Sequence, residues 1–216
     1  MNSAARPTRS VKLSNLDHFF ALVCVVAATF TGDGSEPEFW KRDHESAYRQ
    51  LILLLEALLY ATVIFYHPRE CRPVAFIHLA NPFGAIAAVL NYNRIAQAAT
   101  HLMNTMFICP MDSYFDDYWG VAPRRLARRT FEIFGEVQGL LNFSLKRAKD
   151  VEPCRRGALL GHIIDISSPP YTITNTESRK ASIASIVDTS LENGVLRPVT
   201  AGELAGKGGF ACTALY

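Results

Sequence analysis

Residues 111–123 read Met-Asp-Ser-Tyr-Phe-Asp-Asp-Tyr-Trp-Gly-Val-Ala-Pro, and this stretch decides the fold. Two runs rich in aromatic and apolar residues flank an acidic centre, which predicts a short β-hairpin over 111–122 with the Asp-Asp pair at its tip. Pro123 suits the first turn of a helix, because that position needs no backbone N–H donor. The stretch therefore predicts a hairpin followed directly by a helix that runs to about Leu141.

Outward from this stretch, strands and helices are interleaved. Residues 39–43 predict a strand that ends on an acid, the runs 61–65 and 74–79 predict a hairpin, and 159–166 predict another strand. Further helices are expected from a cap at 14–17 to Phe30, from Gly84 to about Met106, over 176–191 and over 200–214. The helix after the Asp-Asp hairpin is expected to bury Leu126, Phe131, Phe134, Val137 and Leu141. This order has no βαβ rhythm, so the expected fold class is α+β with a mostly antiparallel sheet.

Composition excludes several classes of protein. The chain has 216 residues, of which 49% are hydrophobic and 19% charged, so it is not a disordered polar chain. The net charge of +2 does not by itself select nucleic acid as a partner. The five scattered cysteines form no metal-ligating motif and indicate reduced thiols in the cytoplasm or nucleus. The apolar runs 19–30 and 51–66 are too short to span a bilayer, so no membrane association is expected.

The carboxylates are the most informative residues. An Asp-Asp pair alone is most often a solvated turn, but Asp116 and Asp117 stand among aromatic residues. Burying two like charges costs several kcal/mol unless a cation neutralises them, and Mg²⁺ prefers such oxygen ligands. Two such ions about 3.5–4 Å apart can hold the attacking and leaving oxygens of a phosphoryl transfer. We therefore expect the strand that ends on Asp43 to lie beside the Asp-Asp hairpin, so that acids from separate strands share cations.

Five segments resemble the palm of a retrotransposon reverse transcriptase, an RNA-directed DNA polymerase, in their order and spacing. They are Phe-Trp-Lys-Arg-Asp-His-Glu-Ser-Ala-Tyr-Arg-Gln (39–50), Asn-Pro-Phe-Gly-Ala (81–85), Tyr-Phe-Asp-Asp (114–117), Leu-Leu-Asn-Phe-Ser-Leu-Lys (140–146) and Leu-Leu-Gly-His-Ile-Ile (159–164). The resemblance implies a palm over 38–170, with an antiparallel sheet backed by helices. It also implies a tail with a remnant of the fingers over 1–37, and a partial helical thumb or connection over 171–216.

The resemblance also implies roles for the acids. Asp43, Asp116 and Asp117 would be catalytic residues and metal ligands, with Asp116 a stronger ligand than Asp117. Two Mg²⁺ ions are expected as cofactors, and Mn²⁺ could replace them.

The same resemblance implies a nucleotide pocket. Tyr48 matches the bulky residue that packs under the sugar and excludes a 2′-hydroxyl, although an ordinary half-buried tyrosine is the alternative. Pro82, Phe83 and Gly84 match the loop that touches template and nucleotide, and a turn before a helix is equally consistent with them. Either Lys146 or Lys149 would lie near the nucleotide phosphates, where a lysine could donate a proton to the leaving pyrophosphate.

Positive charge is concentrated in one region. Residues 124–156 carry nine Lys or Arg residues against four acids. Arg124, Arg125, Arg128 and Arg129 occupy adjacent turns of one expected helix and would share a face. Such a face binds phosphate backbones by counter-ion release, and a solvated surface stripe is the alternative.

The sequence therefore supports three functions. The first is template-directed DNA synthesis from deoxynucleotide triphosphates on a primer–template, by a fragment of a retroelement polymerase that nearly lacks fingers. The second is an inactive palm-fold remnant that at most binds nucleic acid. The third is an α+β interaction domain whose acids are incidental. The sequence leaves the oligomeric state open.

Overall fold

The computed structural model describes residues 13–30 and 35–212 of the chain. The α-helices in these residues are α1 (Leu16–Thr29), α2 (Ile86–Met106), α3 (Arg124–Leu140), α4 (Glu177–Asn193) and α5 (Pro198–Cys212). The strands are β1 (Pro37–Asp43), β2 (Thr62–His67), β3 (Arg72–Ile77), β4 (Met111–Tyr114), β5 (Asp117–Pro123), β6 (Val151–Cys154), β7 (Arg156–Leu159), β8 (His162–Asp165) and β9 (Thr172–Asn175). The end of the last expected helix, at 213–214, lies outside the described residues, as do the first twelve residues of the expected N-terminal tail.

A four-stranded sheet in the order β4-β5-β1-β6 forms the centre of the fold. β4 and β5 are the predicted hairpin, and β5 pairs antiparallel with β1 from Pro37 opposite Pro123 to Asp43 opposite Asp117. The strand that ends on Asp43 therefore lies directly beside the Asp-Asp hairpin, as expected. Mixed helices and antiparallel strands agree with the α+β class.

Both faces of the central sheet are covered. Because successive side chains point to opposite faces of a strand, Trp40 and Tyr118 pack on one side, in a core with residues of α2 and α3. Phe39 and Trp119 pack on the other side, in a core with residues of α1 and β8. This double covering explains why β5 is an almost continuous buried run.

The expected strand over 159–166 is wrong in one respect. Its first part belongs to β7 and its second to β8, and the turn between them lies at Leu160 and Gly161. Both turn residues have positive φ, 47° and 73°, a conformation that glycine adopts easily and leucine rarely does. Leucine carries no turn signal, so the pattern of apolar residues indicated one uninterrupted strand.

The expected buried face of α3 is also partly wrong. Leu126 is 43% exposed, and Ala127 is buried in its place. A step of five residues from Leu126 to Phe131 does not keep a side chain on one helix face, whereas the steps from Ala127 through Phe131 and Phe134 do. Leu141 lies just beyond the helix and is likewise exposed.

The predicted hairpin before α2 is confirmed as β2 and β3, a separate two-stranded sheet. Several of its large apolar side chains face solvent, among them Ile64, Phe65 and Phe76. None of the helices in the described part of the chain combines the length and the apolar character needed to cross a bilayer.

A substitution at Gly120 tests the packing of the central sheet. A Cβ atom at this position would overlap the indole ring of Trp40. We expect Gly120→Ala to lower the free energy of unfolding by about 1–3 kcal/mol, because overpacking displaces the ring. Gly206→Ala, in α5 with open space around the added atom, is the control and should raise stability by up to about 1 kcal/mol. Urea denaturation measures both, and equal stability of Gly120→Ala and the unmodified protein would contradict this packing.

Candidate active site

The strand pairing brings two carboxylates together at one end of the central sheet. Asp43 is the last residue of β1, and Asp117, the first residue of β5, stands directly opposite. The Asp43 side chain is 1% exposed, and the Lys41 ammonium contacts an oxygen of each acid, 2.9 Å from Asp43 Oδ1 and 3.0 Å from Asp117 Oδ1. Lys41 precedes Asp43 by two residues, so both side chains emerge on the same face of β1. The two acids therefore share one cation.

The two candidate phosphate-binding lysines also lie beside Asp43. The Lys149 ammonium is 2.9 Å from Asp43 Oδ2, and its side chain is about half exposed. Lys146 donates its backbone N–H to the carbonyl oxygen of Asp43. Of the two, Lys149 brings its side-chain charge to the carboxylate.

The acid pair titrates unequally. Burial raises the pKa of Asp117 to about 7, and the neighbouring Asp43 carboxylate adds to the rise. Burial acts in the same direction on Asp43, but hydrogen bonds from Asp117 and from the two ammonium groups outweigh it and lower the pKa of Asp43. Burial opposes the charged form of Lys41, yet the carboxylates of Asp117 and Asp43 raise its pKa. One proton is thus held near the pair up to about neutral pH.

Asp116 occupies the turn between β4 and β5. The turn begins at Phe115, whose φ of 52° is unusual for a bulky residue, and His44 donates its backbone N–H to the Asp116 carbonyl oxygen. The Asp116 carboxylate reinforces the effect of burial in raising the pKa of Tyr48. In residues 13–30 and 35–212, no three His, Cys, Asp or Glu side chains form a group that could hold a metal ion. Asp117 is the acid that faces Asp43 across the sheet, and the greater strength of Asp116 as a metal ligand stays a prediction.

The expected nucleotide-pocket residues come together beside Asp116. The Tyr48 ring makes edge contacts with Phe83 and Tyr92, at centroid distances of 5.2 Å and 5.1 Å. Pro82 is half-buried on the same loop. Gly84 follows with a φ of 87°, which favours glycine at this position.

The four arginines of α3 lie away from these acids. Arg124 begins α3 after Pro123, which pairs with Pro37 at the far end of β1. Asp43 is six positions along the strand from Pro37, a span of roughly 20 Å.

Three of these four arginines contact acidic side chains. Arg128 contacts Glu132 and Glu152, and Arg129 contacts Glu136. Of the other two, Arg124 contacts Glu38, and Arg125 lies over the ring of Phe30. The expected basic face is therefore an exposed surface on which most of the arginines form ion pairs with glutamates.

Sequence reasoning missed His44. Its Nε2 is 2.9 Å from the buried Gln138 Oε1, and its Nδ1 is 2.8 Å from the Tyr92 hydroxyl. Nε2–H therefore donates to Gln138, and Nδ1 accepts from Tyr92. The ring stacks on Phe143, and burial lowers the pKa of His44 to about 4. A neutral histidine thus fastens the end of β1 to α2 and α3. The sequence did carry a signal for this role. A histidine directly after the strand that ends on Asp43 needs polar partners if the end of the strand is buried.

Comparison with known proteins gives likenesses of fold alone. No family model matches the sequence, and neither does any curated protein. A foamy viral protease-reverse transcriptase in complex with an RNA/DNA hybrid is similar in structure, with a TM-score of 0.52, 12% identity and coverage of 69% of this chain. The foamy viral protease-reverse transcriptase dRH in complex with double-stranded DNA gives 0.56, 13% and 81%. The chain covers only 18% and 27% of those two chains.

The raised pKa of Asp117 predicts a pH dependence of stability. In the unfolded chain this carboxyl titrates near 3.8, and in the folded protein it titrates at about 7. The folded state holds the proton more tightly, so the contribution of Asp117 to stability is lost as pH rises from about 4 through 7. Asp117→Asn removes this loss. We expect its melting temperature to rise relative to that of the unmodified protein, by several degrees from pH 4 to pH 8. Thermal melts across this range measure the difference, and a difference independent of pH would contradict the assignment.

Proposed function

We propose that this chain is a nucleotidyl-transfer module that carries out template-directed DNA synthesis, as part of a retroelement polymerase. The observation that carries the proposal is the meeting of Asp43 and Asp117 across adjacent antiparallel strands, with one cation between them. The likeness in fold to a foamy viral protease-reverse transcriptase supports it. The proposal includes a palm over 38–170 and a partial thumb over 171–216, in a protein of the cytoplasm or nucleus.

The residues at the site fit a divalent cation. Asp43 and Asp117 offer oxygen ligands only, and they already gather positive charge to one point. Mg²⁺ is commonly held by one or two carboxylates, with its other ligands from water and substrate phosphates. A pair of protein carboxylates is therefore sufficient, and Asp116 would complete the set when substrate binds. Bound Mg²⁺ or Mn²⁺, with two ions expected, would stabilise the attacking and leaving oxygens.

The remaining residues act on the nucleotide. Tyr48, braced by Phe83 and Tyr92, would occupy the space next to the sugar and disfavour a 2′-hydroxyl. Pro82 and Gly84 would shape the loop beside it. Lys149, whose pKa is raised by Asp43, keeps its proton at Nζ at neutral pH. Because its ammonium contacts the acid pair, Lys149 is our candidate for donating a proton to the leaving pyrophosphate, ahead of Lys146.

Primer–template binding forms part of the same proposal. The foamy viral proteins are in complex with an RNA/DNA hybrid and with double-stranded DNA. Exposed ion pairs contribute little to stability, so the α3 arginines can exchange glutamate for phosphate at low cost. They would contact nucleic acid at a distance from the acids.

One observation favours a second function, that of an inactive remnant. Lys41 and Lys149 neutralise the acid pair without any metal. A fold that needs no cation at this point can persist after catalysis is lost, and nucleic-acid binding would then be its remaining activity.

Thermal melting separates the two functions. If Mg²⁺ binds the folded state, a concentration about tenfold above Kd adds about 1.4 kcal/mol and raises the melting temperature by roughly 3–6 °C. Asp43→Asn should abolish the rise, whereas Asp188→Asn, on α4, should retain it. The melts are run with Mg²⁺ alone and with a deoxynucleotide triphosphate and a primer–template. A rise that persists in Asp43→Asn places the ion elsewhere, and no rise under either condition favours the remnant.

Primer extension tests the role of Tyr48. Tyr48→Ala removes the side chain proposed to lie next to the sugar, so ribonucleotide incorporation should rise at least about tenfold relative to deoxynucleotide incorporation. Tyr60→Ala, at an exposed position, is the control and should leave the ratio unchanged. Unchanged discrimination in Tyr48→Ala would mean that Tyr48 only packs against Phe83.

A further inference from the structure

Lys41 has an unusual position for a lysine. Its side chain is 14% exposed, and its ammonium lies between the carboxylates of Asp43 and Asp117, within 3.0 Å of an oxygen of each. A cation that bridged the same two oxygens would need the same point. Lys41 and such a metal ion would therefore compete for the pair.

The charges of the cluster balance without a metal. With both carboxyls ionised, Asp43 and Asp117 supply two negative charges against the two positive charges of Lys41 and Lys149. A neutral cluster attracts a divalent cation weakly, because each ammonium repels it at close range. Positive charge must move away before the acids offer a favourable site.

The two lysines differ in how easily they can move. Lys149 is 53% exposed and contacts one oxygen of Asp43, so its ammonium can turn into water. Lys41 projects from β1 between the acids, and leaving them breaks two ion pairs at once. Lys41 is therefore the stronger competitor.

We propose that Lys41 is the resident counter-ion of the acid pair, and that a divalent cation must displace it in order to bind. The inference depends on the proposed function, since it concerns the same site. In the metal-free protein Lys41 holds Asp43 and Asp117 together. On metal binding its ammonium leaves the pair, so that Lys41 sets the metal affinity of the site.

Mn²⁺ binding to variants of the full chain tests this displacement. Titration followed by the electron paramagnetic resonance of free Mn²⁺ gives Kd for the unmodified chain and for Lys41→Met, Lys149→Met and Lys180→Met. Lys41→Met should bind at least about tenfold more tightly, because one close positive charge is removed. Lys149→Met should show a smaller gain. Lys180→Met, which removes an exposed charge on α4, should match the unmodified chain.

The outcomes distinguish this inference from the proposed function. Equal or weaker binding by Lys41→Met, while the unmodified chain binds Mn²⁺, would overturn the displacement and leave the metal site intact. No binding by any of the proteins would overturn both. Mn²⁺ binding by Lys41→Met alone would support the displacement and would explain why the unmodified chain binds no Mn²⁺.

A second measurement avoids the variant, which loses a buried counter-charge and could fail to fold. Side-chain NMR of the unmodified chain with ¹³C-labelled lysine and aspartate follows the lysine Cε–Hε signals and the aspartate carboxyl carbons during a Mg²⁺ titration. The Lys41 signal should shift in step with the carboxyl carbons of Asp43 and Asp117, and the Lys180 signal should stay fixed. Carboxyl shifts without a Lys41 shift would overturn the displacement.

Discussion

The antiparallel pairing of β1 with β5 is the constraint on which the rest of the structure depends. It runs from Pro37 opposite Pro123 to Asp43 opposite Asp117, so that one set of hydrogen bonds fixes both the core and the acid pair. A slip of one residue would send Trp40 and Phe39 to the wrong faces and would move Asp43 away from Asp117. Stability and the geometry of the candidate site are therefore coupled through a single register.

Burying two carboxylates at one end of this pairing costs folding free energy, and neighbouring side chains offset that cost. Burial raises the pKa of Asp117 to about 7, and the facing Asp43 carboxylate adds to the rise. Lys41 supplies the neutralising charge from the same strand. His44 supplies rigidity, since its neutral ring binds Gln138 and Tyr92 while its backbone binds Asp116. The short segment after Trp40 thus contains the acid, its counter-ion and its support.

Local signals in the sequence were enough for much of the fold. The hairpin around Asp116, the strand that ends on Asp43 and the helix after Pro123 follow from turn chemistry, residue alternation and the absence of a donor at proline. The break between β7 and β8 was missed because Leu160 takes a positive φ, a conformation that a leucine in the sequence does not indicate.

The contacts of the site were harder to predict, because they depend on elements far apart in the chain. That Lys41 would touch Asp117 depends on the cross-strand register, which a single sequence leaves undetermined. Counting charges over 124–156 also overstated the basic face, because Glu38 lies outside that segment and is brought to Arg124 by the fold. The motif order indicated which acids to examine, but only the three-dimensional arrangement identified the partner of Asp43.

The β2–β3 hairpin has a consequence for how the molecule unfolds. A two-stranded sheet is marginally stable in water by itself. The segments that flank this one pair with each other, for example through the bond from Leu53 N–H to the Leu79 carbonyl. Its opening would leave the hydrogen bonds between β1 and β5 intact. The amides of β2 and β3 should therefore exchange with solvent deuterium through local opening, whereas those of β5 require global unfolding. We therefore expect this hairpin and the central sheet to unfold as separate cooperative units, with the acid pair in the more stable one.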